Sequence, residues 1–305
     1  MILTVTPNPA VDHTIHFDEP LQTGVVHRTD DAVFTAGGKG INVAKYVSAL
    51  DADATASGFL GGHFGKFVRD RLDADGIASD FVTIDADTRL NTTVLAEDGE
   101  YKLNHNGPQI RPADVDELVE TAQANEPDTL LVGGSLPPGM SLSDVDRLAR
   151  AGDWKIAVDM GGEYLAELDA DYYVCKPNRS ELAAATGRTV ETEADAVEAA
   201  EELHARGFEY VLASLGGDGA LLVTDDEVLS APALDVEVVD TVGAGDAVMS
   251  GFLAAREHGL SDADALRMGV LTAARVVGVA GTRVPHLEDV LTNETRVEVT
   301  TVRTR

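Results

Sequence analysis

Two glycines and an aspartate within residues 240–248 form the stretch with the clearest chemistry. Gly243 and Gly245 lie where an extended, β-branched segment (236–239) gives way to a helical pattern over 247–258. Glycine lets the backbone turn its N–H groups toward a ligand, and the start of a helix favours an anion such as phosphate. Asp246 lies at the edge of this anion site, where a carboxylate could accept the proton of an attacking hydroxyl. An ordinary helix cap is the alternative, and this motif alone does not decide between them.

Other glycine-rich and polar stretches also suit the approach of a ligand. Residues 37–42 place Lys39 among glycines ahead of a helix, without the Ser or Thr of a Walker loop; a tight turn is the alternative. Residues 214–220 let the backbone pass near a flat or anionic ligand, although a hairpin turn would explain them equally well. Asn178 and Glu181, three residues apart, could point together at hydrated Mg²⁺, or Asn178 could cap the helix.

Three further groups of polar side chains follow apolar runs. Asp12 is a carboxylate placed to accept hydrogen bonds from sugar hydroxyls, and Ser135 offers a hydroxyl at a constrained turn. Arg89 and Asn91 stand at the start of a predicted hairpin, where the arginine could recognise a phosphate. Each of these could be a solvated surface residue, but their joint position at strand ends favours a shared site.

These residues must be positioned by elements that alternate along the chain. Apolar runs predict buried strands at 2–6, 54–60, 129–132, 156–159, 172–175 and 210–214. Helical spacing predicts helices at 40–50, 64–72, 114–124, 142–150, 195–206 and 247–258. This alternation indicates an α/β fold with a mostly parallel sheet, in which ligands bind at the carboxyl ends of strands. Residues 13–35 and 91–105 predict a small antiparallel flap, and 296–302 predict a final edge strand.

Composition excludes several classes of protein. The chain carries 53 acidic and 23 basic side chains, a net charge of -30, which argues against a nucleic-acid partner. We find neither a run of about 20 apolar residues nor a signal peptide, so we expect a cytoplasmic protein with no membrane partner. The one cysteine, Cys175, excludes an intrachain disulfide and a cysteine-cluster metal site. Acid spread along the whole chain predicts adaptation to high salt, which screens self-repulsion.

Together these motifs resemble the ribokinase-type sugar kinases, the PfkB family. The resemblance extends from residues 6–12 to 281–283; its most specific motif is 240–246, and 37–44 resembles the second marker of the family. Within the family, the chain resembles the branch that acts on sugar phosphates, and this resemblance lies in residues 7–12, 88–91, 134–139 and 176–178. The resemblance implies one ribokinase-like kinase domain over 1–305, a three-layer α/β sandwich with a mostly parallel central sheet. It also implies a small β-sheet lid from about 12–36 and 88–107, often with a homodimer formed through the lids.

The same resemblance implies ATP-dependent phosphorylation of fructose 1-phosphate to fructose 1,6-bisphosphate, with Mg²⁺. Asp246 would be the base, and the amides of Gly243, Ala244 and Gly245 would form the anion hole. The residues implied to hold the phosphosugar are Asp12, Arg28, Gly38, Lys39, Asn42, Arg89, Asn91 and Ser135. Those implied to hold ATP are Lys176, Asn178, Ser214, Leu215, Gly216, Gly217, Gly219 and Thr241, with Glu181 organising the metal. Residues 159–162 depart from the pattern of the family.

Three alternatives remain. Fructose 6-phosphate or tagatose 6-phosphate could be the acceptor in the same chemistry, although Lys39 and Arg28 favour fructose 1-phosphate. A nicotinamide oxidoreductase, suggested by the two glycines of 243–245, fails because Val248 replaces the third glycine and the motif lies late in the chain. A non-catalytic sugar-phosphate sensor is disfavoured by the presence of Asp246.

Overall fold

A computed structural model describes residues 1–279, 281, 283–292 and 297–305. Its strands are β1 (Ile2–Thr6), β2 (Ala10–His16), β3 (Ala32–Gly37), β4 (Ala54–Leu60), β5 (Ala78–Ser79), β6 (Val82–Thr83), β7 (Arg89–Ala96), β8 (Gly99–Asn104), β9 (Thr129–Gly133), β10 (Lys155–Asp159), β11 (Tyr172–Cys175), β12 (Phe208–Ser214), β13 (Ala220–Val223), β14 (Glu227–Ala231) and β15 (Thr300–Thr304). Its helices are α1 (Lys39–Ala49), α2 (Gly62–Ala74), α3 (Pro112–Asn125), α4 (Leu142–Ala149), α5 (Gly162–Leu165), α6 (Arg179–Thr186), α7 (Glu193–His204), α8 (Ala244–Glu257), α9 (Asp262–Val276) and α10 (Glu288–Leu291).

The larger sheet runs in the order β15-β14-β13-β12-β11-β10-β9-β1-β4-β5, with β6 also paired to β4. From β12 to β5 the neighbouring strands are parallel, whereas β13, β14 and β15 join antiparallel at one edge. Successive side chains of the buried strands enter opposite faces: Leu130 and Val132 lie in one hydrophobic cluster, Leu131 in the other. Helices therefore cover both faces of the sheet, which is why these strands read as continuous apolar runs.

A second sheet of four strands, in the order β3-β2-β7-β8, lies outside the three layers and is called the lid below. Within it β2 pairs parallel with β7, and the hairpins β2-β3 and β7-β8 are antiparallel. One side of the lid exposes large apolar groups, including Phe34, Tyr101 and Leu103. The lid chain crosses to the α/β layers at four points, at the start of β2 and β7 and at the end of β3 and β8.

Helix α8, which carries the 240–248 motif into the fold, is held very close to α9. A Cβ on Gly251 would lie 2.5 Å from the carbonyl oxygen of Met268, and one on Gly269 would lie 2.8 Å from that of Val248. The two glycines thus allow backbone-to-backbone approach of the helices. This contact fixes the axis of α8 and the position of its amino-terminal turn.

The predicted fold class is confirmed, and each of the six predicted strands and six predicted helices is present within a few residues of its expected bounds. The segment 236–239, predicted to be extended, joins no sheet, because residues 232–239, all of which the structure describes, form no strand. The Val239 amide bonds the carbonyl of Val277 instead of a strand. The final strand pairs with β14 as an edge strand, but it begins at Thr300; residue 296 lies outside the described part. No strand or helix was predicted at the positions of β13, β14 and α9. No helix among the described residues is long and apolar enough to cross a bilayer.

Candidate active site

Asp246 lies in the first turn of α8 and is 8% exposed. Its Oδ2 accepts a hydrogen bond of 2.8 Å from Nδ2 of Asn42, which α1 carries. Asp246 and Lys39 line the same cleft. The carboxylate is thus oriented by an amide and turned toward a cleft, which is the arrangement that a general base requires.

The pKa of Asp246 is raised from 3.8 to about 6. Burial is the largest cause, and the negative charge of Asp159 adds to it; Lys39, the hydrogen bond from Asn42 and Lys176 oppose it. A carboxyl group with a pKa near 6 is ionised at neutral pH and still binds a proton more tightly than an exposed aspartate does. It is therefore better matched to accepting a proton than an unperturbed carboxylate.

Asp159 joins two lysines beneath the cleft. It is fully buried; its Oδ1 accepts a 2.6 Å hydrogen bond from Lys39 Nζ, and Lys176 Nζ lies 3.4 Å from its Oδ2. Burial raises the pKa of Asp159, but the two lysines lower it further, so the pKa lies below its usual value. Burial lowers the pKa of Lys39, but Asp159 and Asp246 together raise it above its usual value. The ion pair keeps two ammonium groups at the edge of the cleft.

The residues predicted to form an anion hole lie at the start of α8, and one of their three amides is already engaged. Gly243 caps α8 in the left-handed region at φ 81°, and a Cβ there would lie 2.9 Å from Tyr46 Oη. A Cβ on Gly245 would lie 3.1 Å from Lys176 Nζ, so this glycine keeps the lysine close to the helix start. The Ala244 amide donates a 3.3 Å bond to Thr241 O and is the least available of the three.

The cleft has a volume of about 780 Å³ and runs along the amino-terminal end of α8. At one end lie Lys39, Lys176 and Asp246; the remainder has a largely apolar wall that includes Val236, Val238 and Val270. The structure brings these residues of the predicted nucleotide site together here: Lys176, Asn178, Ser214, Gly216, Gly217, Gly219 and Thr241. A cleft with a polar, cationic end and an apolar wall suits a nucleotide, with its phosphates and flat base.

Leu215 was predicted among the nucleotide ligands, but its side chain does not line the cleft. Leu215 is 5% exposed and packs in the hydrophobic cluster below the loop. Its amide bonds the carbonyl of Gly219, closing the turn between β12 and β13. The loop is therefore the hairpin turn that the sequence left open and a wall of the cleft at the same time.

Asn178 and Glu181 form a reciprocal cap at the start of α6. Asn178 Oδ1 accepts from the Glu181 amide at 2.9 Å, and Glu181 Oε2 accepts from the Asn178 amide at 2.8 Å. The helix cap considered from the sequence is thus present, and Asn178 lines the cleft as well. Glu181 still contributes to raising the pKa of Lys39, so its charge acts on the cationic end. Among the described residues no group of three His, Cys, Asp or Glu side chains could hold a metal unaided.

The departure at residues 159–162 has a packing explanation. Met160 is 1% exposed and fills the hydrophobic core. A Cβ on Gly162 would lie 2.0 Å from the carbonyl oxygen of Glu181, so a glycine is needed where α5 approaches α6. The loop therefore holds the start of α6, and with it Glu181, against the site.

On the lid side, Asp12 and Asn91 face each other across paired strands. Asn91 Nδ2 donates to Asp12 Oδ1 at 3.0 Å, and a Cβ on Gly37 would collide with the Asp12 carboxylate at 1.9 Å. Burial raises the pKa of Asp12, and the hydrogen bond from Asn91 and the charge of Arg89 oppose this. Gly38 caps α1 at φ 139°, where a side chain would meet Thr6. Carboxylate and amide oxygens of this kind suit sugar hydroxyls.

Arg89 and Ser135 line a second cleft of about 540 Å³, separate from the one with Asp246. Arg89 donates to backbone carbonyls, and burial lowers its pKa although the charge of Asp12 acts to raise it. Arg28 is exposed between β2 and β3 and lines none of the clefts described here, so a single chain does not bring it to the site. The ion pairs of Asp159 with Lys39 and Lys176 were not predicted from the sequence. Its position at the end of a predicted strand was the only feature that could have pointed to a role in the site.

Comparisons with known proteins show which family the chain belongs to. The model of the pfkB family carbohydrate kinases matches residues 5–289. The chain is 97% identical to the 1-phosphofructokinase of Haloferax volcanii over 305 residues, covering 100% of both chains. It is 36% identical over 286 residues to the D-tagatose-1-phosphate kinase of Bacillus licheniformis, covering 90% of this chain and 92% of the other. A crystal structure of Escherichia coli phosphofructokinase-2 in complex with potassium superposes with a TM-score of 0.88 at 28% identity, covering 95% of this chain and 97% of the other.

Proposed function

Because this chain belongs to the pfkB family of carbohydrate kinases, we propose that it transfers the γ-phosphoryl group of ATP to the 6-hydroxyl of fructose 1-phosphate. The products are fructose 1,6-bisphosphate and ADP. The observation that carries the proposal is the position of Asp246, which is buried, has a pKa near 6 and lies beside a glycine helix start and two lysines. The choice of acceptor rests on the near identity to the Haloferax volcanii enzyme.

In the reaction Asp246 takes the proton of the 6-hydroxyl as the oxygen attacks the γ-phosphorus. The new bond joins that oxygen to phosphorus, the bond from phosphorus to the β,γ-bridging oxygen breaks, and ADP leaves. Asn42 holds the carboxylate in place through its 2.8 Å hydrogen bond to Oδ2. A carboxylate that is fixed before the substrate arrives avoids reorganisation during proton transfer.

Charge that develops on the transferring group is stabilised by Lys39, Lys176 and the free amides at the start of α8. The lysines are held by Asp159, so they need not be ordered when ATP binds. In phosphoryl transfer the protein contributes mainly positioning and electrostatic stabilisation of this kind. Gly243 and Gly245 let the phosphate approach the helix start without a side chain in its path.

The residues present fit Mg²⁺, because one carboxylate, that of Glu181, lies near the cationic end of the cleft. Magnesium commonly keeps several waters and takes only one or two protein carboxylates, which is consistent with the lack of a three-ligand cluster among the described residues. Glu181, held by its cap with Asn178, would hold the ion, directly or through water. Bound there, Mg²⁺ would neutralise phosphate charge.

The 1-phosphate of the acceptor belongs in the second cleft, where Arg89 and Ser135 meet. Asp12 and Asn91 are placed to accept and donate hydrogen bonds to the sugar hydroxyls. A sugar without the phosphate would lose the charged contact with Arg89 and should bind poorly. The exposed apolar face of the lid is the surface through which we propose that two chains form a homodimer.

A panel of acceptors tests the proposal. Purified enzyme with ATP and Mg²⁺ in molar potassium chloride should phosphorylate fructose 1-phosphate with the highest kcat/KM. Fructose 6-phosphate, tagatose 6-phosphate, D-tagatose 1-phosphate and unphosphorylated fructose complete the panel, with ADP release as the readout. A higher kcat/KM on any of these would overturn the choice of acceptor, and no ADP release with all five would favour a sensor.

A further inference from the structure

Asn8, which precedes the first lid strand, joins several parts of the phosphosugar site although it is 3% exposed. Its Nδ2 donates to the carbonyl of Asn106 at 3.0 Å and to Ser135 Oγ at 3.3 Å. Its carbonyl oxygen accepts two hydrogen bonds from Arg89, from Nε at 3.2 Å and from Nη2 at 2.9 Å. One residue thus contacts both side chains proposed to meet the 1-phosphate.

The guanidinium of Arg89 is largely occupied by these backbone contacts. Its Nη1 donates to the carbonyl of His105 at 3.1 Å, in addition to the two bonds to Asn8. An arginine has five N–H donors, so about two remain for a ligand anion. Their direction is set by the two carbonyls that hold the other three.

The contacts fall at the places where the lid joins the α/β layers. Asn8 lies two residues before β2, Arg89 is the first residue of β7, and His105 and Asn106 follow the last residue of β8. Three of the four crossings of the lid are therefore linked by one hydrogen-bonded cluster. A Cβ on Gly107, at φ 100°, would lie 2.1 Å from Asn8 Oδ1, so the chain leaving the lid passes directly over this side chain.

We propose that Asn8 is a positioning residue, which fixes the lid hinge and thereby aims the two free N–H groups of Arg89 at the phosphate of the sugar. The position of the lid and the affinity for the phosphosugar are then set by the same cluster. The nucleotide cleft, which neither Asn8 nor Arg89 lines, is independent of it. This inference rests on the proposed function for the identity of the substrate but not for the hinge itself.

The test compares Asn8→Ala with Asn125→Ala. Asn125 is a control with similar contacts: its Nδ2 likewise donates to a backbone carbonyl, that of Thr121, and to a side chain, that of Asp80, and both lie outside the lid. In ligand-free enzyme, hydrogen exchange of peptides covering residues 89–104 should be faster in Asn8→Ala than in wild type and unchanged in Asn125→Ala. Asn8→Ala keeps the backbone carbonyl that Arg89 bonds but removes the side-chain bonds that hold it in place. In the kinase assay it should therefore raise KM for fructose 1-phosphate about tenfold or more, because Arg89 is no longer aimed at the phosphate, and leave KM for ATP within about twofold.

A purely structural role would lower the melting temperature without separating the two KM values. Unchanged lid exchange, or equal changes in both KM values, would overturn the inference. Asn8→Ser, which retains a hydroxyl donor, should recover part of the lost affinity. If Asn8→Ala does not fold, Gly107→Ala perturbs the same cluster from the opposite side and must reproduce the effect. Failure of wild type to phosphorylate fructose 1-phosphate would refute the proposed function, whereas the exchange experiment would still decide the role of Asn8.

Discussion

Replacing Asp246 with asparagine should make the enzyme much slower and, at neutral pH, more stable. Burial and the nearby charge of Asp159 raise the pKa of Asp246 from 3.8 to about 6. A tenfold change in proton affinity corresponds to about 1.4 kcal/mol, so ionised Asp246 destabilises the folded state by about 3 kcal/mol above pH 6. Asparagine has nearly the same shape and can still accept the hydrogen bond from Asn42, so it removes this charge without leaving a cavity.

A smaller effect opposes the gain. A carboxylate in the first turn of a helix is favoured by about 0.3–1 kcal/mol, which the neutral side chain forfeits. The free energy of unfolding of Asp246→Asn should therefore exceed that of wild type by about 2 kcal/mol at pH 7–8. Below pH 3.8 the carboxyl is protonated in both folded and unfolded chains and the difference from this source vanishes. It grows between pH 3.8 and about 6, where the unfolded chain has lost the proton and the folded chain still holds it.

Denaturant unfolding across pH 4–8 in molar salt measures the stability, and a coupled ADP assay measures the activity. Loss of a general base should lower kcat by about a hundredfold or more. Asp114→Asn is a control of opposite sign, since the hydrogen bond from Arg111 lowers the pKa of Asp114 and this variant should be less stable at neutral pH. Near-normal turnover in Asp246→Asn would refute the assigned base, and a stability difference that does not grow with pH would refute the electrostatic reasoning.

Three further outcomes test other parts of the site. The wild-type kcat/KM, which reports groups of the free enzyme, should fall about tenfold per pH unit below about pH 6, as Asp246 is protonated. Asp159→Asn should move this limb to lower pH, because it removes a negative charge and leaves two lysines to face Asp246; an unmoved midpoint would contradict this. Gly162→Ala should raise KM for ATP and the Mg²⁺ concentration required more than it raises KM for the sugar, because the added Cβ would displace the backbone at the Glu181 carbonyl. Equal increases in the KM values for ATP and for the sugar, measured at graded Mg²⁺ concentrations, would count against this. Transfer from molar potassium chloride to low salt should lower the melting temperature, and unchanged melting would speak against salt adaptation.

The sequence was informative where one short segment contains both the start of a secondary-structure element and the residues that could take part in the reaction. Gly243, Gly245 and Asp246 lie within four residues, so the helix start and the carboxylate follow from the same motif. The parallel strands were equally readable, because burial on both faces makes each a continuous apolar run. The motif left open whether Asp246 is a base or a plain cap, and the features that favour a base come from Asn42 and Asp159, which lie far away in the chain.

The remaining contacts depend on register and packing that no local pattern encodes. Asp159 meets Lys39 across 120 residues because β10 lies next to β9, with Asp159 opposite Gly133. Leu215 is a related case: its loop lines the cleft, but its own side chain turns into the core. Arg89 looked like a free phosphate ligand, yet most of its donors are used by backbone carbonyls that only the folded lid brings to it.

The net charge of the chain is negative, whereas the cleft presents two positive lysines. A substrate far from the protein is affected mainly by the net charge, and a bound substrate is affected mainly by the lysines. The net charge of -30 repels ATP and a sugar phosphate at long range. Salt shortens that range, from about 8 Å at physiological ionic strength to about 3 Å at 1 M. The attraction of Lys39 and Lys176 acts at contact, where the ions are partly buried and screening is weak. Raising salt should therefore speed the association of both substrates while the chemical step at Asp246 stays nearly constant, so kcat/KM should rise more than kcat.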